Sequence, residues 1–185
     1  MEWYGPLAPV LDPADVSRLG PPIDFLGLNY YYSHWVRADP DEPTLGLRIE
    51  PHAGAGHTDL GWLVHPEGLT ESLLRIDREY GPIPIAITES GAVYEDVREP
   101  DGRSRDPRRI DYHRRYLAAT AEAIAAGVPV TAYFAWALLD NFEWASGLGT
   151  RFGLVYVDFD TQERAIKASG AWYRDVIAAN GQPRA

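Results

Sequence analysis

Cysteine is absent from the sequence, methionine occurs once, and there is no long run of apolar residues. Without cysteine the chain can form neither disulfides nor thiolate sites, as is usual for proteins of a reducing compartment. No apolar run approaches the roughly 20 residues needed to span a bilayer, and residues 1–20 lack the basic start and apolar core of a signal peptide. We therefore expect a cytoplasmic protein without a membrane partner.

Basic residues are also scarce, with 17 Lys and Arg against 27 Asp and Glu and a formal net charge of -10. Nucleic acids and anionic membrane surfaces attract basic proteins, so an acidic chain of this kind is poorly suited to either. We expect no nucleic-acid partner.

Metal and nucleotide signatures are equally weak. His52, His57 and Asp59 form only a loose loop group, which we expect to be solvated. Residues 147–149 with Gly153 resemble a nucleotide-binding loop only loosely, because the third glycine is misplaced and no helix is predicted directly behind it. The sequence therefore predicts no metal site and no cofactor.

Apolar and aromatic residues are well represented. The hydrophobic content of 45% is enough to form a core, and 185 residues correspond to one domain or to a piece of a larger one. Six Trp and 11 Tyr are many for this length, and much of the aromatic content lies near predicted strand ends. These side chains could be ordinary core residues or platforms for sugar rings.

The pattern after residue 22 alternates strands and helices, following an irregular lead-in over residues 1–22 with one short helical turn after Asp12 or Pro13. Buried strands are predicted at 23–30, 83–88 and 128–139, and helices at 66–80, 107–126 and 163–179. Such alternation is typical of a parallel sheet in an α/β fold. Residues 33–61 are predicted to be a long loop with little helix or strand.

Local signals support the second and third of these units. The helix that begins at Pro66 should end at Gly81, a residue suited to the C′ position. The helix that begins at Pro107 should have Asp106 as its N-cap. Its buried face is predicted to carry three apolar residues, namely Ile110, Leu117 and Ile124.

Glu89 follows the apolar run 83–88. Active-site carboxylates of α/β barrels and open α/β sheets lie at the carboxyl ends of buried parallel strands. On position alone, a catalytic carboxylate and a solvated glutamate at the start of a loop are equally good interpretations.

Five stretches match one known family, in the order in which they occur there. They are 23–31, Gly61–Trp62 with 66–69, 87–92, 133–144 and 151–159. On these residues the chain resembles the C-terminal part of glycoside hydrolase family 1, the β-glucosidases and β-galactosidases. The resemblance implies an incomplete (β/α)8 TIM barrel, a single partial domain over 1–185 in which 23–179 carry the last three βα units.

The resemblance also implies a retaining β-glucosidase that hydrolyses terminal β-D-glycosides. This reaction requires two carboxyl groups about 5–5.5 Å apart on either side of the glycosidic bond. Glu89 matches the nucleophile of the family, and Tyr31 matches the tyrosine that donates a hydrogen bond to it. The phenol would steer the carboxylate and favour its charged form.

Six further side chains match substrate-binding positions of the family. They are Asn29 beside the reacting ring, Trp136 beneath the sugar, Glu143 and Trp144 on its hydroxyls, Phe152 in the pocket wall and Trp62 on the leaving-group side. For Trp62, simple core packing is an equally good interpretation. Two positions depart from the family pattern: Ser90 stands where Asn is frequent and Ala137 where Ser is frequent, so the local hydrogen bonding is expected to differ.

One departure is severe, because the Asn-Glu-Pro motif that carries the general acid/base of the family is not in this sequence. Its Glu-Pro pairs, at 42–43, 50–51 and 99–100, lack the preceding Asn and follow no buried apolar run. We expect the chain alone to be inactive, and to be unstable, self-associated or dependent on an N-terminal barrel fragment. The alternative is a non-catalytic carbohydrate-binding remnant that uses Trp136, Glu143 and Trp144.

Overall fold

The computed structural model describes residues 12–18, 20, 22–50, 56–96 and 98–181. The predicted alternation of strands and helices is confirmed, and two hairpins are added to it. The elements are α1 (Pro13–Arg18), β1 (Leu26–Asn29), β2 (Trp35–Ala38), β3 (Leu47–Glu50), α2 (Pro66–Tyr80), β4 (Ile85–Ser90), α3 (Pro107–Ala125), β5 (Val130–Ala135), β6 (Val155–Val157), β7 (Arg164–Ile166) and α4 (Ala168–Ala178). The helical turn expected after Asp12 or Pro13 is α1.

Three parallel strands form the central sheet in the order β1-β4-β5. Only the middle strand is fully buried over Ile85–Ile87, whereas exposed residues occur along β1 and β5. The prediction of three buried strands is therefore wrong for the outer two. Among the described residues no further strand pairs with their outer edges, so water reaches them.

The main core lies where α2 and α3 pack together beside the sheet. Leu69 and Leu73 of α2 and Ile85 and Ile87 of β4 are completely buried. The helix ends as predicted at Gly81, whose φ of 87° is a left-handed conformation that favours glycine. Periodic leucines and a terminal glycine thus place α2 on the sheet, and a buried helix interface holds it there.

The buried face of α3 differs from the predicted one. Ile124 is exposed, and the helix instead buries Arg109, Tyr112, His113, Tyr116, Ala119, Thr120 and Ala123. Arg109, Tyr112 and Tyr116 are buried because their polar tips find hydrogen-bond partners there, and apolar periodicity alone does not predict such burial. Asp106 precedes the helix as predicted, but its side chain makes no capping hydrogen bond.

The segment 33–61, predicted to be a loop, contains the antiparallel hairpin β2–β3. Gly46 has a φ of 64° in the turn, and the Glu42 carboxylate accepts hydrogen bonds from three backbone amides at 44–46. The four residues of β2 are all exposed, so the strand lacks the apolar alternation by which a half-buried strand is recognised.

The last predicted helix, 163–179, also begins differently. Residues 164–166 form β7, which pairs with β6 in a hairpin, and α4 starts at Ala168. Gln162 takes a φ of 64° in the turn, where Asp158 accepts amide hydrogen bonds from residues 160 and 161. Over the described part of the chain, no helix is long and apolar enough to cross a membrane.

Candidate active site

Glu89 and Tyr31 meet at the carboxyl end of the sheet. The parallel register pairs Asn29 of β1 with Glu89 of β4, so Tyr31 lies just beyond the end of the neighbouring strand. Its phenol donates a hydrogen bond of 2.6 Å to Glu89 Oε2. A bond this short is typical of a hydroxyl held by a carboxylate. The structure thus brings together the two side chains predicted to be catalytic.

The Tyr31 hydroxyl stays protonated in this setting. Burial raises its pKa well above the ordinary value of 10, and the hydrogen bond and negative charge of Glu89 add to the shift. The charge of Glu143 contributes further in the same direction. Tyr31 is therefore a permanent donor to Glu89 over the physiological pH range.

Two tyrosines of α3 bind the main chain of Tyr31. The Tyr112 and Tyr116 hydroxyls donate hydrogen bonds to the Tyr31 carbonyl at 3.0 and 2.9 Å. Both side chains are completely or almost completely buried. Sequence reasoning missed them, although tyrosines four residues apart on one helix face were the available signal.

An aromatic cluster surrounds the Tyr31 ring. Trp62 meets it edge-on at 5.6 Å between ring centroids, and Phe152 does so at 6.1 Å. Tyr32 stacks on Trp62 at 4.7 Å. Phe152 is almost fully buried, whereas Trp62 is only partly so. Trp62 therefore packs in this cluster and still reaches the surface.

Trp136 lies directly after β5 and contacts the same cluster. Its backbone amide donates a hydrogen bond to the Ser90 carbonyl at 2.8 Å, and its peptide bond to Ala137 is cis. A Cβ on Gly91 would lie 1.9 Å from the Trp136 carbonyl oxygen. Residue 91 must therefore be glycine, because a methyl group there would overlap this backbone atom.

The remaining predicted binding residues lie around this edge with fewer contacts. Asn29 Oδ1 accepts a hydrogen bond from Thr88 Oγ1 at 2.6 Å. Glu143 precedes a 3-10 turn over Trp144–Ser146, and its amide donates to the Gly147 carbonyl. Trp144 is 83% exposed. The sugar-binding roles of these side chains stay predictions.

The two positions that depart from the family pattern are both buried. Ser90 is fully buried, and its hydroxyl lies 3.4 Å from that of Tyr112. Ala137 is 7% exposed and exchanges backbone hydrogen bonds with Phe152 and Leu154. Ser90 therefore directs its hydroxyl toward α3.

A buried network of charges holds the loops behind the site. Arg109 Nη1 lies 2.9 Å from Asp96 Oδ1 and 2.5 Å from Asp106 Oδ2. Lys167 contacts Asp96 as well, and its Nζ lies 2.9 Å from Asp140 Oδ1. All five side chains are fully or almost fully shielded from solvent.

The same network extends to α4 and to the segment before β6. Ser169 donates hydrogen bonds to both oxygens of Asp106 from its amide and its hydroxyl. Arg151 pairs with Asp140 at 2.8 Å, and its carbonyl accepts a hydrogen bond from Arg109. Sequence reasoning missed this network because charged residues are expected at the surface, and apart from Asp106–Arg109 the ion pairs join residues 11 to 71 positions apart, which no local pattern indicates.

No metal site is found in the described ranges, where no group of three or more His, Cys, Asp or Glu could hold an ion. Asp59 instead binds Arg108 at 2.7 Å and accepts the amide of Glu95, and the His57 carbonyl also accepts from Arg108. His57 and Asp59 are exposed, as predicted, and they contact α3 through Arg108. His52 lies outside the described residues.

Comparison with known proteins identifies close relatives. A family model described as glycosyl hydrolase family 1 matches residues 5–182. The chain is 46% identical over 167 residues to beta-glucosidase A of Thermotoga maritima, covering 90% of this chain and 37% of that protein. It is 42% identical to a bifunctional beta-D-glucosidase/beta-D-fucosidase of Bifidobacterium breve, covering 89% and 39%.

Solved structures agree with these relatives. The Thermotoga maritima family 1 β-glucosidase superposes with a TM-score of 0.89 at 44% identity, covering 92% of this chain and 38% of that one. Its complex with castanospermine gives a TM-score of 0.93 at 42% identity, covering 99% and 41%. The chain is thus part of an α/β barrel fold and spans about two fifths of the length of these relatives.

Proposed function

Because the chain belongs to glycosyl hydrolase family 1, we propose that it supplies the nucleophile side of a retaining β-glucosidase active site. Glu89 is the nucleophile in this proposal, and the three βα units are the last three of the barrel. The observation that carries it is the 2.6 Å hydrogen bond from Tyr31 to Glu89 at the carboxyl end of the sheet. Catalytic groups of such barrels occur at this end of the strands.

The chemistry follows from the two groups. A carboxylate oxygen of Glu89 attacks the anomeric carbon while the bond to the leaving oxygen breaks, which gives a covalent glycosyl-enzyme. Water then releases the sugar with retained configuration. Tyr31 binds Oε2, so the carboxylate is oriented for this attack.

The substrate in this proposal is a terminal β-D-glucoside. The relatives named above are β-glucosidases, and the residues assigned here to the substrate are aromatic or carry hydrogen-bonding groups. Trp136 provides an apolar platform, Glu143 and Trp144 bind hydroxyl groups, Asn29 lies beside the reacting ring and Phe152 closes the wall. Trp62 contacts the leaving group. A carboxylate suits sugar recognition because it accepts hydrogen bonds from two hydroxyls.

The general acid must come from outside these 185 residues, since they contain no Asn-Glu-Pro motif. The missing group would come from an N-terminal barrel fragment, because a second copy of this chain lacks it as well. Both outer strands support this, because β1 and β5 have free outer edges within the described ranges. A parallel-sheet edge with apolar neighbours is suited to pairing with further strands.

The test is hydrolysis of an activated aryl β-glucoside by the purified chain, with and without a polypeptide that carries the first five βα units of a family member. We expect little or no turnover by the chain alone and turnover by the mixture, abolished by Glu89→Gln. Equal turnover in the Glu89→Gln mixture would refute the nucleophile assignment.

The 83% exposure of Trp144 favours a second candidate, a carbohydrate-binding remnant without catalysis. Exposed Trp rings beside a carboxylate can bind sugars without a second catalytic group. Glu89→Gly separates the two candidates. In a binding remnant, calorimetry should show binding of glucose or cellobiose that survives this change, and the unchanged mixture should show no turnover. In the enzyme, the unchanged mixture should turn over and the Glu89→Gly mixture should not.

A further inference from the structure

Two buried tyrosines of α3 contact the main chain of Tyr31 from behind the sheet. We propose that Tyr112 and Tyr116 are positioning residues for the nucleophile: they fix the Tyr31 backbone and thereby the phenol that orients Glu89. This inference rests on the proposed role of Glu89. It adds a layer to the site that neither touches substrate nor belongs to the sugar pocket.

The hydroxyls of Tyr112 and Tyr116 converge on one acceptor atom. Both hydroxyls donate to one carbonyl oxygen, that of Tyr31, at 3.0 and 2.9 Å. A carbonyl oxygen has two lone pairs, so the two phenols saturate it. The donor rings stack on each other at 4.0 Å between centroids and 19° between planes. Each ring therefore restrains the other, which helps to hold the two donors in place.

Tyr112 and Tyr116 also contact segments that adjoin Tyr31 and Glu89. The Ser90 hydroxyl, directly after Glu89, lies 3.4 Å from that of Tyr112. The Tyr116 hydroxyl accepts a hydrogen bond of 3.1 Å from the His65 amide, at the end of the loop that carries Trp62. One helix face therefore contacts the segments after β1, before α2 and at the end of β4.

A tyrosine ring is rigid, so a small rotation of the Tyr31 backbone displaces its hydroxyl by a larger distance. The 2.6 Å bond to Glu89 tolerates little displacement. Reaction rates are steep in this geometry, because a misplacement of about 1 Å can cost roughly 100-fold in rate. Fixing the carbonyl is therefore a means of fixing the carboxylate.

A kinetic experiment on the assembled barrel tests the consequence for catalysis. Tyr112→Phe keeps the stacked ring and removes one hydroxyl. We expect kcat for an activated aryl β-glucoside to fall about tenfold with KM within twofold, and the Tyr112→Phe/Tyr116→Phe variant to fall further. Tyr173→Phe is the matched control, since its hydroxyl donates to the Tyr133 carbonyl in the same layer without reaching Tyr31.

A double-mutant cycle shows through which group the tyrosines act. If they act through the Tyr31 hydroxyl, Tyr112→Phe has no further effect on kcat in a Tyr31→Phe background. A tenfold loss in both backgrounds would overturn the proposal. So would a fall in thermal stability with unchanged kcat, because that would indicate a purely structural role.

A spectroscopic experiment on the chain alone needs no activity and separates this proposal from the proposed function. The Cζ resonance of Tyr31 in ring-labelled protein, assigned with Tyr31→Phe, reports its hydrogen bond to Glu89, and Glu89→Gln calibrates a weaker acceptor. We expect the double variant to move this resonance by at least half the Glu89→Gln shift, and Tyr173→Phe to leave it unchanged. An unmoved resonance in both Tyr112→Phe and the double variant overturns the proposal, whether or not the assembled barrel is active.

Discussion

The helix-covered face of the sheet is packed against other parts of the chain, whereas no further described strand pairs with its two outer edges. Behind β4, leucines, tyrosines and a buried ion network fill the space up to α2, α3 and α4. Along β5, by contrast, Phe134 is 57% exposed, and Leu138 just beyond the strand is 69% exposed. The residues of the packed face are thus buried by this chain itself, whereas the two edges would be covered only by further strands. Glu89, on the central strand, and Tyr31 lie at the carboxyl end of the sheet.

The largest effect should come from breaking the ion network of the packed face. Arg109→Leu leaves Asp96 and Asp106 buried with one cation fewer, and an uncompensated buried charge typically costs about 3–5 kcal/mol. We expect a loss of that size in the free energy of unfolding, measured by urea titration with Trp fluorescence. Arg114→Leu, on the exposed face of α3, is the control and should change it by less than about 0.5 kcal/mol. Equal losses in both variants would show that the network adds no specific stability.

A smaller loss is expected where the packed face meets the site, at Gly91. Gly91→Ala puts a methyl group against the Trp136 carbonyl, so the backbone after β5 must shift. Overpacking of this kind costs about 1–3 kcal/mol, and the shift should also move Trp136. The measurements are urea unfolding and Trp fluorescence in the folded state. Gly56→Ala is the control, because no described residue lies within 4 Å of the added Cβ. A Gly91→Ala chain as stable as Gly56→Ala would contradict the expectation.

Prediction from sequence succeeded where a local pattern decides the structure. Leu69 and Leu73 at helical spacing with Gly81 behind them define α2, and the apolar run 83–88 defines β4. It failed at β2–β3, because an exposed hairpin has no alternation of burial. It failed again on α3, where Tyr112 and Arg109 are buried through partners that only tertiary structure supplies. Burial of polar-tipped side chains depends on long-range contacts.

The candidate site divides in the same way. Glu89 was suggested by its position after an apolar run, and its role and that of Tyr31 came from the family resemblance. The hydrogen bonds of Tyr112 and Tyr116 to Tyr31 span more than 80 positions, and no local spacing encodes them. A sequence motif thus indicates the groups that would touch substrate more readily than those that hold them in place.

The packed face should also make stability depend on pH through His113. Burial, aided by the Arg109 charge, lowers the pKa of this histidine to about 3, against 6.5 when unfolded. Neither ring nitrogen has a hydrogen-bond partner among the described residues. Between these two pH values the unfolded chain binds a proton that the folded chain does not, so stability is lost as the pH falls below 6.5.

At pH 5 the expected loss is about 2 kcal/mol relative to pH 8, from 1.36 kcal/mol per pKa unit. The measurement is urea unfolding at both pH values for the unchanged chain and for His113→Phe, which should lose this part of the pH dependence. His34→Gln, at an exposed position, should keep it. If His113→Phe loses as much stability at pH 5 as the unchanged chain, the acid sensitivity originates elsewhere.

The smallest effect on stability is expected for a substitution at the outer edge of β5. Its effect on self-association should be larger. Phe134→Lys replaces an exposed apolar side chain of β5 with a charge, the device by which edge strands avoid pairing. The free energy of unfolding should change by less than about 0.5 kcal/mol, because little burial is lost. Sedimentation velocity should show less self-association than in the unchanged chain. Turnover by the mixture with the first five βα units should also be lower. Lys substituted for exposed Tyr80, the last residue of α2, should alter neither. If Phe134→Lys leaves association and complementation unchanged, the β5 edge is not the surface through which the barrel is completed.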